Sequence, residues 1–401
     1  MKRDPLGQAL REAAIPVPAE AEERGLRMVA AAHAQRQPQQ RRQVALPRLA
    51  LALAIATLLA ALLLSPAGAA VRDWVDDVVT SSTPRPEPEL AEIPGGGQLL
   101  VQSADGPWVV QADGSRRLLG DYEEATWSPR GLFVAVADGR TLSALEPDGT
   151  PRWSITAPVA VGEPRWAPLG ERIAYRAGRV LRIVAGDGTD DRLFAASAAP
   201  VAPAWDPTGR PQLAYVTAAG RLIVAHSETG ALLASSPALP DVTQIEWGAG
   251  GAAILEASPR ALRLRSVRNR KIAARPAVDL GAHLPVPRRQ RVVDAALSAQ
   301  SRAVAVVLRR GSAAGGRSSV LLFDPRKARP QRLLDVPGDL GEVVWSPDGS
   351  RLLIAMPVSD QWLFLPTGRG FGSAVSNISD AFSPGRPALS FPRVEGWCCR
   401  R

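Results

Sequence analysis

Five short segments of this chain are near-copies of one another. Trp127-Ser128-Pro129-Arg130-Gly131 is followed by Trp166-Ala167-Pro168-Leu169-Gly170 and Trp205-Asp206-Pro207-Thr208-Gly209. The weaker Trp247-Gly248-Ala249-Gly250-Gly251 comes next, and Trp345-Ser346-Pro347-Asp348-Gly349 restates the motif most fully. The first three tryptophans are 39 residues apart, and the fourth comes after 42. Between Trp247 and Trp345 there is room for two repeats, with a degenerate marker at Leu297-Ser298-Ala299 ahead of the apolar run 303–308. Such a period constrains the fold more than composition does, because each repeat must be one supersecondary unit that buries its surface against the next.

The residues after each marker define the unit. After Trp166 the sequence reads as a strand over 172–176, a turn at Ala177-Gly178, a strand over 180–185, a turn at Asp187-Gly188 and a short strand over 192–195. Pro presets φ for the first corner of a turn, and Gly supplies the positive φ that the next corner needs. The Trp is a large flat side chain suited to packing between sheets. Four antiparallel strands at a period near 40 make a β-propeller blade.

The two ends of the repeat region complete one another. Residues 98–120 hold three strands, around Asp105-Gly106 and Asp113-Gly114, with no marker strand before them. Residues 380–391 hold a truncated marker, Phe382-Ser383-Pro384-Gly385, with little after it. A blade shared between them would close the ring and leave no open sheet edge. The expected fold is therefore all-β, a propeller of about seven four-stranded blades over residues 98–391, with 392–401 as a C-terminal tail.

The run from Trp345 to Ala355, WSPDGSRLLIA, resembles the repeat of TolB-like propellers, also called WD-like periplasmic repeats, and so do the segments at Trp127, Trp166 and Trp205. The resemblance covers residues 98–391. It implies the propeller fold and a place among scaffolds, sensors and protease accessories, without choosing between them. The whole layout is similar to single-pass membrane proteins of high-GC bacteria with an outer propeller. It departs from the TolB pattern in having no separate soluble domain before the propeller.

The region ahead of the repeats sets the expected location. Residues 49–64 carry eight Leu, one Ile and no charge, and the apolar character runs on to Val71. A helix over 49–71 is long enough to cross a hydrocarbon core of about 30 Å. Arg36, Arg41, Arg42 and Arg48 precede it, and Asp73, Asp76 and Asp77 come after it. Basic flanks stay inside, so the sequence predicts a single-pass anchor in a bacterial cytoplasmic membrane, N-terminus inside and propeller outside. A signal peptide cleaved near Ala67-Gly68-Ala69 is the competing reading. Residues 1–48 read as a basic, partly helical cytoplasmic tail, and residues 72–97 as a Pro/Gly-rich linker.

Residues suited to chemistry are few. The histidines beyond the span, His226 and His283, lie in different repeats, no residues have metal-ligand spacing, and there is no Gly-x-Ser-x-Gly elbow. Neither catalytic residues, a metal nor a cofactor is expected, unless acids converge in the central channel. One stretch is strongly charged: residues 257–332 carry 18 Arg and Lys against Asp279, Asp294 and Asp324. Arg263, Arg265, Arg268, Arg270 and Lys271 form its candidate surface for an anionic lipid or wall polymer, whereas nucleic acid is not expected outside the cell. Cys398 and Cys399, the only cysteines, read as part of a frayed tail, with pairing between molecules outside the membrane as the alternative. The expected function is a non-enzymatic membrane-anchored scaffold that binds a protein or an anionic envelope ligand. The alternative is a transmembrane regulator, anti-sigma-like, whose residues 1–37 hold a cytoplasmic transcription factor while the propeller senses an outside signal.

Overall fold

In the computed structural model of the protein, the described residues are 90–399, apart from 239–240, 249, 252, 269–270, 273–289, 302, 312–315, 325–329 and 385–390. The expected membrane span, the cytoplasmic tail and most of the linker lie outside them. Among the described residues no helix is long and apolar enough to cross a membrane.

The strands form seven antiparallel blades of four. Blades 2 to 7 each take their strands in sequence order, beginning with Glu124–Trp127, Val161–Trp166, Ala204–Trp205, Gln244–Trp247, Gln290–Leu297 and Val343–Trp345. Blade 1 is shared: Gln98–Ser103, Gly106–Val110 and Arg116–Leu118 come from the start of the region and Arg393–Cys398 from its end. The seven first strands touch one another in succession around a closed circuit, so they line the central channel. A single parallel bridge, Ser235 to Lys271, also ties the outer strands of blades 4 and 5.

Period-two patterning explains the packing. In Val134–Asp138, Val134 and Val136 face blade 1 while Ala135 and Ala137 face blade 3. Both faces of a blade are covered, so its middle strands read as continuous apolar runs. The result is seven buried clusters, one at each seam between neighbouring blades. Six are built mainly from Ala, Val, Leu and Ile. The seam between blades 7 and 1 adds Trp108, Trp362, Phe364, Phe382 and Trp397, with Trp362 and Phe382 at 5.2 Å and Phe364 and Trp397 at 5.6 Å between ring centroids.

The Asp-Gly pairs work as turns. In Asp113-Gly114-Ser115, Asp148-Gly149-Thr150, Asp187-Gly188-Thr189 and Asp348-Gly349-Ser350, the Asp Oδ1 accepts the backbone N–H two residues on. The first three join the third and fourth strands of blades 1 to 3. Gly106 shows why Gly is needed at one such corner: its φ is +114°, and a Cβ there would lie 1.9 Å from the Gly120 carbonyl oxygen.

Two expectations about the ends are corrected. The strand that closes the ring is Arg393–Cys398, inside the stretch read as a tail, and not residues 380–391. Ile378–Phe382 is a short helix, and it drives Ile378 and Phe382 into the blade 7–blade 1 seam. At the other end, Leu90 and Ile93 are buried in that same seam, so the packed domain reaches into the stretch read as linker.

Removing residues 392–401 should strip blade 1 of its channel-lining strand and expose the edge of Gln98–Ser103. The expected outcome is loss of a cooperative melt by circular dichroism and aggregation on size exclusion. Trp397→Ala should be a milder version, costing about 3–5 kcal/mol by large-to-small truncation in a core.

Candidate functional site: the central channel

The marker tryptophans stand at the ends of the channel-lining strands. Trp166, Trp205 and Trp247 are buried, while Trp127 and Trp345 are half-buried. Two of them show that the marker does more than fill space. The indole N–H of Trp205 donates to the Arg165 carbonyl at 2.9 Å, and that of Trp345 to the Ala296 carbonyl at 2.9 Å. Each acceptor directly precedes the marker position of the blade before, so the Trp links consecutive inner strands. Trp397 stands near the end of the closing strand as the markers stand in theirs, but it bonds within its own blade, donating to the Gly96 carbonyl at 2.8 Å. It is blade 1's marker, in the role that the Ser-Pro-Gly motif suggests for Phe382.

Acids converge on the channel. Three residues before the marker stand Glu124, Glu163, Asp294 and Glu342, with Gln244 in the corresponding place of blade 5. Three of these acids reach across the seams, while Glu163 pairs with Arg176 of its own blade. Glu124 Oε2 accepts the backbone N–H of Glu163. Asp294 Oδ2 accepts that of Val343 at 2.8 Å, and Glu342 Oε1 that of Val394 at 2.7 Å. At the seam between blades 5 and 6, Glu246 Oε2 accepts the Leu297 N–H at 2.6 Å, and Gln244 Nε2 donates to the Ala295 carbonyl at 2.8 Å. Four of the seven seams thus carry a carboxylate clasped by the next blade's backbone. For Glu124, Asp294 and Glu342 the sequence holds this regularity as the spacing Glu/Asp-x-x-Trp/Leu, with Glu246 one residue before its marker instead, but aligning the markers on the turn residues after them hides it.

A cavity of about 710 Å³ opens among Glu246, Asp294, Glu342, Glu395, Arg165 and Arg393. Burial raises the affinity of these carboxyls for their protons. Glu246 and Glu342 are pushed up to about 7, burial outweighing the backbone donors that Leu297 and Val394 direct at them. Asp294 and Glu395 are raised for the same reason, with Arg393 pulling both the other way. Glu163 is raised by burial against the opposing pull of Arg176, whose Nε lies 3.0 Å from Glu163 Oε2. Arg165 is half-buried and donates Nη1 to the Pro164 carbonyl at 2.8 Å. Among the described residues no group of three or more His, Cys, Asp or Glu could hold a metal ion. His226 lies away from the channel, where its Nδ1 accepts backbone N–H groups in an outer turn of blade 4.

The expected basic surface is not one surface. Arg265 is 4% exposed and its Nε donates to Glu256 Oε2 at 2.8 Å. Arg263 Nη1 donates to the other oxygen of Glu256 at 2.9 Å. Glu256 is itself 1% exposed, and a carboxylate that deep requires cationic partners. Arg265 is therefore a structural residue between blade strands and not a ligand for an anionic surface. Arg268 and Lys271 oppose each other across the hairpin that ends blade 5, and Arg270 lies outside the described residues.

The raised carboxyls give the ring a pH dependence whose direction is fixed. An acid that holds its proton more tightly folded than unfolded stabilises the fold at acid pH. That contribution fades as pH climbs from the unfolded 4.5 through about 7. Melting should therefore be higher at pH 5.5 than at pH 8. Glu342→Gln keeps an acceptor for the Val394 N–H without the charge. It should raise the melting temperature at pH 8 by about 5 °C, by less at pH 5.5, and leave it unchanged at about pH 4, below the unfolded value.

No protein-family model matches the chain, and no curated protein matches it in sequence. Solved structures do match. The β-propeller domain of Cps50 (Swd1) from Myceliophteria thermophila is 15% identical at a TM-score of 0.50, covering 65% of this chain and 90% of that one. KlHsv2 with its loop 6CD replaced by a Gly-Ser linker is also 15% identical, at a TM-score of 0.49, covering 68% and 90%. Kuenenia stuttgartiensis hydrazine synthase is 11% identical at 0.46, covering 60% and 75%. At these identities the likeness, carried by the Swd1 propeller, establishes one thing about the chain: its repeat region is a β-propeller.

Proposed function

We propose that the protein is a non-enzymatic scaffold, anchored in the membrane through residues 49–71, whose outward-facing propeller binds a protein partner. The observation that carries this reading is how the channel acids are used. Glu124, Glu246, Asp294 and Glu342 each give an oxygen to the backbone N–H of a neighbouring blade, which fits a load-sharing role better than proton transfer to a substrate. A ring held this way presents its loops on a rigid frame, and rigid frames with exposed loops suit recognition.

The larger exposed apolar loop residues, Leu and Phe, lie at one end of the ring, while the other end carries Val159 and Val358. The turns after the markers and the turns between third and fourth strands share one face of the ring. Leu132 and Leu169, in the marker turns of blades 2 and 3, are 59% and 66% exposed, and Phe371, in an outer turn of blade 7, is 79% exposed. Large exposed side chains on one face favour a protein partner.

A photo-crosslinking residue placed at Leu169 or Phe371 in the full-length chain should give a discrete adduct in cells. The same residue at Val358, in a turn on the opposite face, should not. Adducts of equal yield from both faces, or from neither, would overturn the assignment of the face. The anchor has its own test: a phosphatase reporter fused after Pro88 should be active, and an inactive one would reverse the orientation.

A further inference from the structure

The two cysteines end the strand on which ring closure depends, and they are joined to one another as a disulfide. Cys398 is the last residue of the closing strand and pairs with Gln98. Its sulfur lies 3.9 Å from the Ser128 carbonyl oxygen, and that of Cys399 lies 3.8 Å from the Pro129 carbonyl oxygen. Both sulfurs are thus seated on the marker turn of blade 2. The fit is close. A Cβ at Gly131 would stand 2.9 Å from Cys399 Sγ and 3.1 Å from Cys398 Sγ, and one at Gly97 would stand 2.7 Å from the Cys398 carbonyl oxygen.

Two further features distinguish this pair from an inert, buried one. Cys399 has φ +54°, a left-handed conformation that a residue with a Cβ seldom holds without an external tie. Cys399 also lines an open pocket of about 580 Å³, walled by Gly95, Gly96, Gly97, Gln98 and Asp113. Cys398 is buried and Cys399 only half-buried, so an incoming thiol meets the Cys399 sulfur first.

We propose that Cys398 and Cys399 form a thiol–disulfide exchange site, and that its redox state sets how firmly the closing strand is held against blade 2. A small thiolate entering the pocket attacks Cys399 Sγ, forming a mixed disulfide and releasing Cys398 Sγ as a thiolate. A second small thiol then attacks the mixed disulfide, freeing Cys399 and leaving as an oxidised small disulfide. Two electrons and two protons pass from the small thiols to the protein, and the reverse sequence restores the bond. With the bond broken, nothing covalent holds Cys399 at positive φ. The end of the strand can leave the Gly131 turn while the blades themselves stay folded.

The test uses the full-length chain at constant pH, equilibrated in buffers of reduced and oxidised dithiothreitol. The chain has only two cysteines, so intact mass after alkylation under denaturing conditions reads the site directly. Unreduced protein should take up no alkylating agent and reduced protein two equivalents, with no disulfide-linked dimer. Hydrogen exchange should then show amides of Arg393–Cys398 exchanging at least about tenfold faster after reduction, while Val134–Asp138 keeps its protection. The C398S/C399S double variant should behave as the reduced form in either buffer. Two alkylations without reduction, or a disulfide-linked dimer, would overturn the proposal. So would identical exchange of the closing strand in both buffers, which the wild-type chain reports even if the variant does not fold.

Discussion

A propeller is stable only as a closed ring, and this one closes without a covalent bond between the strands that meet. Every blade but the first is consecutive in sequence, so its strands find each other through short turns. Blade 1 must join Gln98–Ser103 to Arg393–Cys398. The entropy of closing so long a loop grows slowly with length but is still unfavourable, and the contacts at that seam have to offset it. The seam is built accordingly. Where the other six rely on Ala, Val, Leu and Ile, this one concentrates tryptophan and phenylalanine and recruits a helix, Leu90 and Ile93. Aromatic pairs at 5 to 6 Å contribute about 0.5–1.5 kcal/mol beyond their buried area, so the enrichment falls where the fold needs it most.

The inner strands raise a second problem. Each has a neighbour in its own blade on one side only, and its channel side presents backbone N–H groups that need acceptors. Crossing carboxylates meet that need at four seams. Placing an acid there carries a desolvation penalty, visible as the raised proton affinity of Glu246, Asp294 and Glu342. The compensation is geometric: an acceptor on one blade and a donor on the next fix the two inner strands in register, which apolar contacts alone do not. At the seam between blades 6 and 7 the Trp345 N–H bond acts between the same strands at their other end, and the Trp205 N–H bond ties blades 3 and 4, whose seam has no such carboxylate.

These two interactions also explain which parts of the molecule are legible in the sequence. The repeat is legible because Pro and Gly have few roles besides the turn they make, and Trp few besides filling a seam. Blade number comes with it, and so does the degenerate sixth marker at Leu297, which ends its strand as the tryptophans end theirs. Trp397 escapes notice because the turn after it has no Pro or Gly: Cys398 and Cys399 stand there instead. Phe382 passes for a marker because Ser-Pro-Gly comes after it, yet helix Ile378–Phe382 reaches the same seam by another route. Arg265 leaves the expected basic surface for a different reason. A count of charges from residue 257 onward begins one position past Glu256, and pairing across adjacent strands puts that single acid between Arg263 and Arg265. Linear charge density does not report which charges are buried together.

The closing strand is where the separate forces meet. At its start Val394 donates to Glu342 of blade 7, near its end Trp397 packs on Phe364 and holds Gly96, and beyond that the two sulfurs rest on the marker turn of blade 2. The stretch 393–399 therefore touches blade 7, its own blade and blade 2 through a carboxylate, an indole and a sulfur pair. The carboxylate responds to pH and the indole contact does not, so mild changes of pH act on this strand without dissolving the seam. The seams among blades 2 to 7 run between sheets whose four strands are consecutive in the chain. If the ring yields anywhere short of unfolding, the contacts that give way first are those of Arg393–Cys398, because they alone join strands from opposite ends of the repeat region within one sheet.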